Sequence, residues 1–466
     1  RSWSGYLDAL TGHYISNYII NNIGTFGEKG SMIGAYPDLV AVVIIIIGAI
    51  FIAIGSKAAT NFNTVFAMMN LLVITFVVTY GSTFINFGNW QGPAPDGIHT
   101  RFMPYGTDGM LAGAAACFFA YAGFDGLATA GEEAKNPAKS IPRATYFSMA
   151  IVSCAYVLMS GILSLMIPFE KVHPSAAFAN AFEQVGSPWA RSFVSIGSLC
   201  GITTSLIGGL FSLPRAVYAM AEDGLIFGWW AHVNKKTQTP INAIVTFTIL
   251  TIILALIFDV AALVDFLSIG TLLAYSIVSA SLIILRYTPA PISPTEPHIL
   301  DQGGRLKFHI PVLSPIIDKM DPGYTVIISV VVMMFSFTGF GVLLSSSFHS
   351  TPFGSILLVL SIVMSILPVF FIHMHHQNGI QLAFKVPLVP YVPAVSLLIN
   401  ILMMTHLGVM TWIRLAVWLT IGLGIYLIYG LRHSKEEVAH AEKFTSKSTS
   451  TFDSIVVAPS VPDLKN

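Results

Sequence analysis

Long apolar runs recur along this chain, and short segments rich in polar residues, glycine or proline separate them. A helix needs about 20 consecutive, mostly apolar residues to cross the hydrocarbon core of a bilayer. The longest connection, 287–322, is proline-rich and reads as an irregular linker, so no soluble domain is inserted. The pattern predicts eleven transmembrane helices, at 38–55, 62–84, 108–131, 143–167, 192–214, 241–258, 260–285, 324–345, 355–372, 387–404 and 412–431.

The composition points to the same class of protein. Charged residues make up 10% of the chain and hydrophobic residues 54%, whereas soluble domains contain about 25% charged residues. A soluble protein of 466 residues could not bury this much apolar surface, so we expect a polytopic membrane protein. The 23 basic and 23 acidic residues cancel, which leaves no electrostatic case for binding nucleic acid.

Cysteine and histidine positions indicate neither a disulfide framework nor a metal site. Cys117, Cys154 and Cys200 all fall inside predicted spans. Three histidines, at 373, 375 and 376, cluster on a polar connection, but no fourth ligand accompanies them. The sequence contains neither a Walker A loop nor a recognisable catalytic triad, so we expect no enzyme activity and no cofactor.

Lysine and arginine positions predict which side of the membrane each connection faces. With the C-terminus in the cytosol, strict alternation places seventeen basic residues inside and six outside. Because short cytoplasmic loops carry the excess of basic residues, the orientation and the number of spans support each other. The inside set is Lys57, Lys135, Lys139, Arg143, Arg215, Lys235, Lys236, Arg286, Arg305, Lys307, Lys319, Lys385, Arg432, Lys435, Lys443, Lys447 and Lys465.

The most informative interruption lies in the third predicted span, where Gly123 and Gly126 flank Asp125. Glycine frees the backbone from regular winding, and an acidic residue is costly inside hydrocarbon. A broken helix is tolerated at membrane depth where it lines a cavity, and transporter binding sites use such helices. A snorkelling Asp125 near the interface is the alternative. In the functional interpretation, 118–126 is a discontinuous helix whose freed backbone faces a substrate, and the aromatic wall or gate consists of Phe119, Tyr121 and Phe124.

Other polar positions have a functional and a structural interpretation. Glu132, Glu133 and Lys135 end the same span, and an inner gate that pairs charges fits them as well as simple solvation does. Segment 197–209 is rich in small and hydroxylated residues, which suits helix packing and also a cavity lined by hydroxyls such as that of Thr203. Asn70 is alone in an apolar span, where an interhelical hydrogen bond competes with a cavity role.

Together these motifs resemble the cationic amino acid transporters of the amino acid–polyamine–organocation superfamily. The stretch from Gly123-Phe124-Asp125 to Gly131-Glu132-Glu133-Ala134-Lys135-Asn136-Pro137 is similar to their transmembrane helix 6. Three later blocks match in order, Gly197–Cys200, Pro214–Gly224 and Asp265–Ser276, and Val386–Leu431 resembles the last two helices. The similarity extends over almost the entire chain.

The resemblance implies an all-α, leucine-transporter (LeuT) inverted-repeat fold of fourteen helices. The eleven spans would be helices 4–14 of an N-terminally truncated member, without helix 1 and its half of the substrate site. The implied organisation is 1–12, end of helix 3; 13–37, extracellular loop; 38–285, transmembrane core of helices 4–10; 286–323, cytoplasmic loop; 324–431, four C-terminal transmembrane helices; and 432–466, disordered cytoplasmic tail.

Individual roles also follow from the resemblance. The segment from Phe119 to Asp125, including Ala122, would supply backbone contacts and an aromatic gate. Asn70 would occupy the position of a lysine in proton-coupled bacterial relatives, and its neutrality fits facilitated transport. Gly209 would leave room for a long cationic side chain. Gly126 departs from the cysteine that family members often carry.

The expected function is facilitated, alternating-access transport of arginine, lysine and ornithine across the plasma membrane. The alternative is a non-transporting amino acid sensor of the same fold, located in the lysosomal membrane. A light subunit of a heteromeric exchanger is disfavoured, because the outer loop 13–36 contains no cysteine that could link a heavy chain. The expected partners are therefore a cationic amino acid and the lipid bilayer.

Overall fold

The structure is a computed structural model, and the part of the chain it describes is all-α. The described residues are 1–12, 14–26, 33–54, 56–93, 99–124, 136–172, 176–235, 237–289, 303–307, 320–346, 351–380 and 384–435. The helices are α1 (Ser2–Leu10), α2 (Tyr14–Asn22), α3 (Leu39–Ile54), α4 (Ser56–Gly81), α5 (Gly106–Cys117), α6 (Pro137–Met166), α7 (Ala177–Gln184), α8 (Pro188–Glu222), α9 (Ile241–Ile257), α10 (Val260–Tyr287), α11 (Tyr324–Ser345), α12 (Pro352–His373), α13 (Tyr391–Thr405) and α14 (Val409–Ile425). A π-helical turn, Tyr426–Gly430, and a last turn, Leu431–His433, extend α14.

The apolar helices confirm the predicted polytopic membrane fold. Seven helices are long and apolar enough to cross a membrane, and four more apolar helices, at Leu39–Ile54, Gly109–Tyr121, Ile241–Ile257 and Tyr391–Thr405, are shorter. Within the described residues these eleven coincide one for one with the eleven predicted spans. The helices α6 and α8 are longer than predicted, since hydropathy detects only the apolar part of a helix that continues into water.

Three of the long helices begin at a proline. Pro137, Pro188 and Pro352 occupy the first turn of α6, α8 and α12. A proline lacks the backbone N–H, but an N–H in the first turn has no partner within the helix, so nothing is lost there. Proline is therefore compatible with the first turn of each of these helices.

Buried carboxylates anchor the region predicted as the outer loop 13–37, which contains the short helix α2. Asp38 is 2% exposed, accepts a hydrogen bond from the Ala41 backbone N–H at 2.9 Å, and is bonded by the Ser4 hydroxyl. Asp8 accepts the Ser16 backbone N–H at 2.9 Å. Each carboxylate thus satisfies a free N–H at the start of a helix, which stabilises helix termini.

The described helices bury two main hydrophobic clusters. One joins α4, α6, α7 and α8 around residues such as Val77 and Phe182, both fully buried. The other joins α10, α11, α12 and α13 around residues such as Met333 and Leu397. The second cluster attaches the three following helices to α10, and therefore connects the predicted core to the predicted C-terminal helices.

Segment 374–378, which we call the inner junction, connects these helices at the side predicted to be cytoplasmic. Its backbone pairs with residues 303–307 through His376 N–H to the Arg305 carbonyl (2.7 Å) and Lys307 N–H to the Met374 carbonyl (2.8 Å). The Asn378 side-chain amide donates to the Leu285 carbonyl at the end of α10 (2.7 Å). The junction therefore holds the ends of α10 and α12 together.

His375 is the buried centre of the inner junction, although the sequence suggested only a polar loop. Its side chain is fully buried, with Nε2 3.0 Å from the Thr325 hydroxyl and Nδ1 2.9 Å from the Phe371 carbonyl oxygen. Burial lowers the pKa of His375, and the positive charge of Lys307 lowers it further, while the hydrogen bond to Phe371 opposes the shift. Neutral imidazole is therefore the form that the fold stabilises.

The lowered pKa predicts that acid weakens the folded state. In the unfolded chain the pKa of His375 is about 6.5, so below that pH the unfolded chain binds more protons than the folded protein. The contribution of neutral His375 to the free energy of unfolding is therefore fully present above about pH 6.5 and decreases as the pH falls toward the lower folded-state pKa. We expect the thermal unfolding midpoint of the purified protein to fall below about pH 6.5. The fall should be smaller in His375→Gln and unchanged in the control His376→Gln. An identical pH dependence in His375→Gln and the unmodified protein would contradict this role.

Candidate functional site

The third apolar helix is broken, and the break begins earlier than the glycines alone predicted. The α-helical part ends at Cys117, and Phe118–Tyr121 form a 3-10 turn. Ala122 is extended, with φ −64° and ψ 133°, and Gly123 follows with φ +114°, a region that L-residues rarely adopt. The backbone therefore leaves the regular helix between Cys117 and Phe124, the last described residue of this segment.

The break frees backbone groups, and a tyrosine of α6 binds one of them. The Tyr156 hydroxyl donates a 2.7 Å hydrogen bond to the Ala120 carbonyl oxygen. An uninterrupted α-helix would have bonded that oxygen to the N–H four residues later. The ring of Tyr156 also lies edge-on to Tyr121, with the ring centres 5.4 Å apart. Tyr156 on α6 therefore stabilises the non-helical conformation of the break through contacts with Ala120 and Tyr121.

A second tyrosine, on α10, connects the two ends of the break. The ring of Tyr275 lies 5.7 Å from that of Phe118 and 5.2 Å from that of Phe124. The side chains of Phe119 and Phe124 are 46% and 36% exposed. Sequence reasoning missed Tyr156 and Tyr275, because each lies in an ordinary apolar span and only the folded structure brings it to the break.

The remaining candidates lie at other helix contacts. A Cβ atom added to Gly201 of α8 would stand 2.7 Å from the Asn70 Oδ1, so half-buried Asn70 packs directly on this glycine. The Thr203 hydroxyl accepts the Trp3 indole N–H at 3.0 Å and donates to the Leu199 carbonyl at 2.7 Å. These contacts place Asn70 and Thr203 along α8, where α4 and α1 pack.

Gly209 and the charged candidates have different positions. A Cβ atom on Gly209 would have no neighbour within 4 Å, so this part of α8 faces open space. The four charged candidates, Asp125, Glu132, Glu133 and Lys135, lie outside the described residues. The structure thus brings Phe119, Tyr121, Ala122, Gly123 and Phe124 together at one break, and Asn70, Thr203 and Gly209 along α4 and α8.

The end of α5 has an electrostatic property that suits a positive ligand. The last four carbonyl groups of a helix lack partners within the helix, and the aligned peptide dipoles place about half a negative charge there. In α5 this end falls at the break, inside an apolar segment. The following 3-10 turn bonds carbonyl oxygens at this end, so the dipole is the property that would stabilise a cationic group there.

Among the described residues, no group of three or more His, Cys, Asp or Glu side chains could hold a metal ion. The three clustered histidines do not converge. His375 is buried inside the junction, while His373 lies against the ring of Tyr391 with the ring centres 5.4 Å apart. The described part of the chain therefore directs attention to backbone groups and aromatic rings rather than to metal ligands.

Comparisons with known proteins identify the class. The family model described as amino acid permease matches residues 8–317, and the one described as C-terminus of AA_permease matches residues 384–434. The chain is 39% identical to human cationic amino acid transporter 4, over 94% of this chain and 72% of that protein. It is 36% identical to the mouse protein of the same name, over 97% of this chain and 75% of that protein.

A plant relative extends the comparison. The Arabidopsis thaliana protein named cationic amino acid transporter 4, vacuolar, is 28% identical over 89% of this chain and 73% of its own length. These matches and the broken apolar helix define a polytopic amino acid permease. Within that class, the chain belongs to the cationic amino acid transporter family.

Proposed function

We propose that this protein carries L-arginine, L-lysine and L-ornithine across a membrane by alternating access. The proposal rests on one observation above all, the helix break between Cys117 and Phe124 in a chain of this family. Transporters bind substrates at discontinuous helices near the middle of the bilayer. At the break, the substrate binds against the non-helical backbone of Ala122 and Gly123, and Phe119, Tyr121 and Phe124 form the aromatic wall.

The positive charge of the substrate follows from the electrostatics of the break. The carbonyl end of α5 favours an ammonium group. Gly209 faces open space, which suits a long side chain. Thr203 contributes a hydroxyl on the same helix, and its bonds to Trp3 and Leu199 fix that hydroxyl in place.

The membrane potential is a sufficient driving force for such a substrate. Each positive charge gains about 2.3 kcal/mol per 100 mV of inside-negative potential. A neutral residue, Asn70, lies where the family resemblance implies a lysine in proton-coupled carriers, and it packs on Gly201 rather than on a described acid. We therefore assign facilitated diffusion, without ion coupling, to this protein. Asp125, Glu132, Glu133 and Lys135 would then order and gate the inner end of the broken helix.

The protein is an integral membrane protein, and we assign it to the plasma membrane, with the lysosomal membrane as the alternative. One plant relative is named vacuolar, which supports an internal membrane as the alternative location. The assigned partners are a cationic amino acid and the lipid bilayer, without a disulfide-linked heavy chain and without a cofactor.

Uptake of radiolabelled arginine tests the proposal. We expect cells that express the full gene product at their surface to accumulate arginine, and depolarisation to reduce that accumulation. Asp125→Ala should reduce uptake to the background, whereas the exposed control Asp321→Ala, just before α11, should leave it unchanged. Strong surface expression with no uptake would refute transport, and arginine binding without flux would identify a sensor instead.

A further inference from the structure

A groove of about 490 Å³ runs between α12 and α13 on the outside of the C-terminal helices. Its floor is α11, with Phe337 and Phe340, and its walls carry Ile366, Val369 and Val395. Its volume lies within the range of ligand pockets, about 300–1,000 Å³. Almost all of its lining is apolar, and Ile366 and Val395 are 61% and 54% exposed.

The sequence of the two walls explains why the groove is open. Both α12 and α13 pack on α11 in the second hydrophobic cluster, so α11 separates them. Pro368 lies inside α12, where a proline removes a helical hydrogen bond and bends the helix. Two small residues, Ser365 and Ala394, face the groove from opposite walls. The gap between the helices therefore persists through their inner halves.

A lysine lies near the inner end of the groove. His373 at the end of α12 lies against Tyr391 at the start of α13, with the ring centres 5.4 Å apart, and Tyr391 lines the groove. The Lys307 ammonium donates to the His373 carbonyl at 2.7 Å and is exposed. Since an ammonium has three donors, two remain for another acceptor. Lys385, also exposed, lies in the segment that leads to Tyr391.

From this combination of an apolar groove with a basic inner mouth, we propose a binding site for an anionic glycerophospholipid of the inner leaflet. One acyl chain lies in the groove along α11, and the phosphate and the acidic headgroup bind at Lys307 and Lys385. Basic pockets between transmembrane helices on the cytoplasmic side bind acidic lipid headgroups in this way. The predicted orientation places this end of α12 on that side.

Charge complementarity selects this occupant over other apolar ligands. A neutral lipid could fill the apolar groove, but it would offer no anionic acceptor to the exposed Lys307 ammonium. The inner leaflet supplies anionic phospholipids, and its surface attracts basic segments close to the membrane. The occupant is therefore a component of the membrane in which the protein resides.

Native mass spectrometry of the full chain in detergent, with added phosphatidylserine or phosphatidylcholine, tests the site. We expect severalfold greater retention of phosphatidylserine. In the double variant Lys307→Gln/Lys385→Gln that preference should disappear. The matched double variant Lys139→Gln/Lys435→Gln removes two exposed lysines elsewhere on the predicted inner side and should keep it. Val395→Trp extends a large side chain from an exposed wall position into the groove and should lower the retention of both lipids.

Three results would overturn the proposal: equal retention of the two lipids by the unmodified protein, a preference that survives in the Lys307/Lys385 variant, or an equal loss in the control variant. A dimer that excludes added lipid from the groove would also overturn it, in favour of an interface between two copies. The lysine substitutions change only exposed side chains, so the test holds even if Val395→Trp does not fold. Lipid binding is measured without transport, and its outcome is independent of the proposed substrate.

Discussion

Replacing Gly123 with valine is expected to reduce arginine uptake at least about tenfold, because a backbone conformation this unfavourable costs about 1–3 kcal/mol for any other residue. Gly123 has φ +114° in the extended turn that follows the 3-10 segment. A β-branched residue would shift to a permitted conformation. That shift would move Ala122 and Phe124 and so change the backbone geometry on which the proposed substrate site depends.

A glycine in the same segment provides the control. Gly113 lies within α5, and a Cβ atom there would meet nothing within 4 Å. Gly113→Ala should therefore leave uptake near the unmodified level. Uptake and surface expression should be measured together by filter assay and surface biotinylation. If Gly123→Val reached the surface and transported normally, the break would have no part in the substrate site.

The second large effect is expected at Gly197 of α8. Among the described glycines at the contact between α4 and α8, Gly197 leaves the least room for a side chain. A Cβ atom on Gly197 would stand 2.2 Å from Val73 Cγ2, far closer than side-chain atoms come. Overpacking of this kind costs about 1–3 kcal/mol. We expect Gly197→Ala to lower the thermal unfolding midpoint of the purified protein clearly, since the helices must move apart.

A second substitution separates crowding from the intrinsic effect of the new residue. Val73→Ala in the Gly197→Ala background removes Cγ1 and Cγ2, the two closest atoms, and leaves Cβ at 2.9 Å, so it should restore part of the lost stability. Gly208→Ala, on the same helix but with open space around it, should be neutral or stabilising, because alanine favours a helix over glycine. Destabilisation of equal size at positions 197 and 208 would contradict the packing explanation.

How much the sequence could predict depended on the physical origin of each feature. The eleven apolar helices were predicted correctly, because the bilayer imposes a length and an apolar composition on each one. Family membership was also predicted correctly, from the motifs at 123–137 and three later blocks. A discontinuous helix was expected over 118–126, and the α-helix indeed ends at Cys117. The glycines alone would have put the break at Gly123, because glycine marks a permitted change of conformation but not the residue where the helix starts to unwind.

Contacts between distant parts of the chain could not be predicted from the sequence. Tyr156 and Tyr275 looked like ordinary residues of apolar spans, and they meet the break only because α6 and α10 pack beside α5. His375 read as part of a polar loop and is instead fully buried in the inner junction. The roles of Asp125, Glu132, Glu133 and Lys135 stay predictions, because these residues lie outside the described ranges.

The sequence by itself determined that this chain is a polytopic membrane protein of the cationic amino acid transporter family, with a break in its third apolar helix. These features follow from local composition, because the bilayer selects each apolar helix separately and glycine acts on its own backbone. The tertiary structure alone decided which rings surround the break, how close α4 comes to Gly197, and that an apolar groove separates α12 from α13. Such features depend on packing between residues far apart in the chain, which periodicity along a sequence does not record.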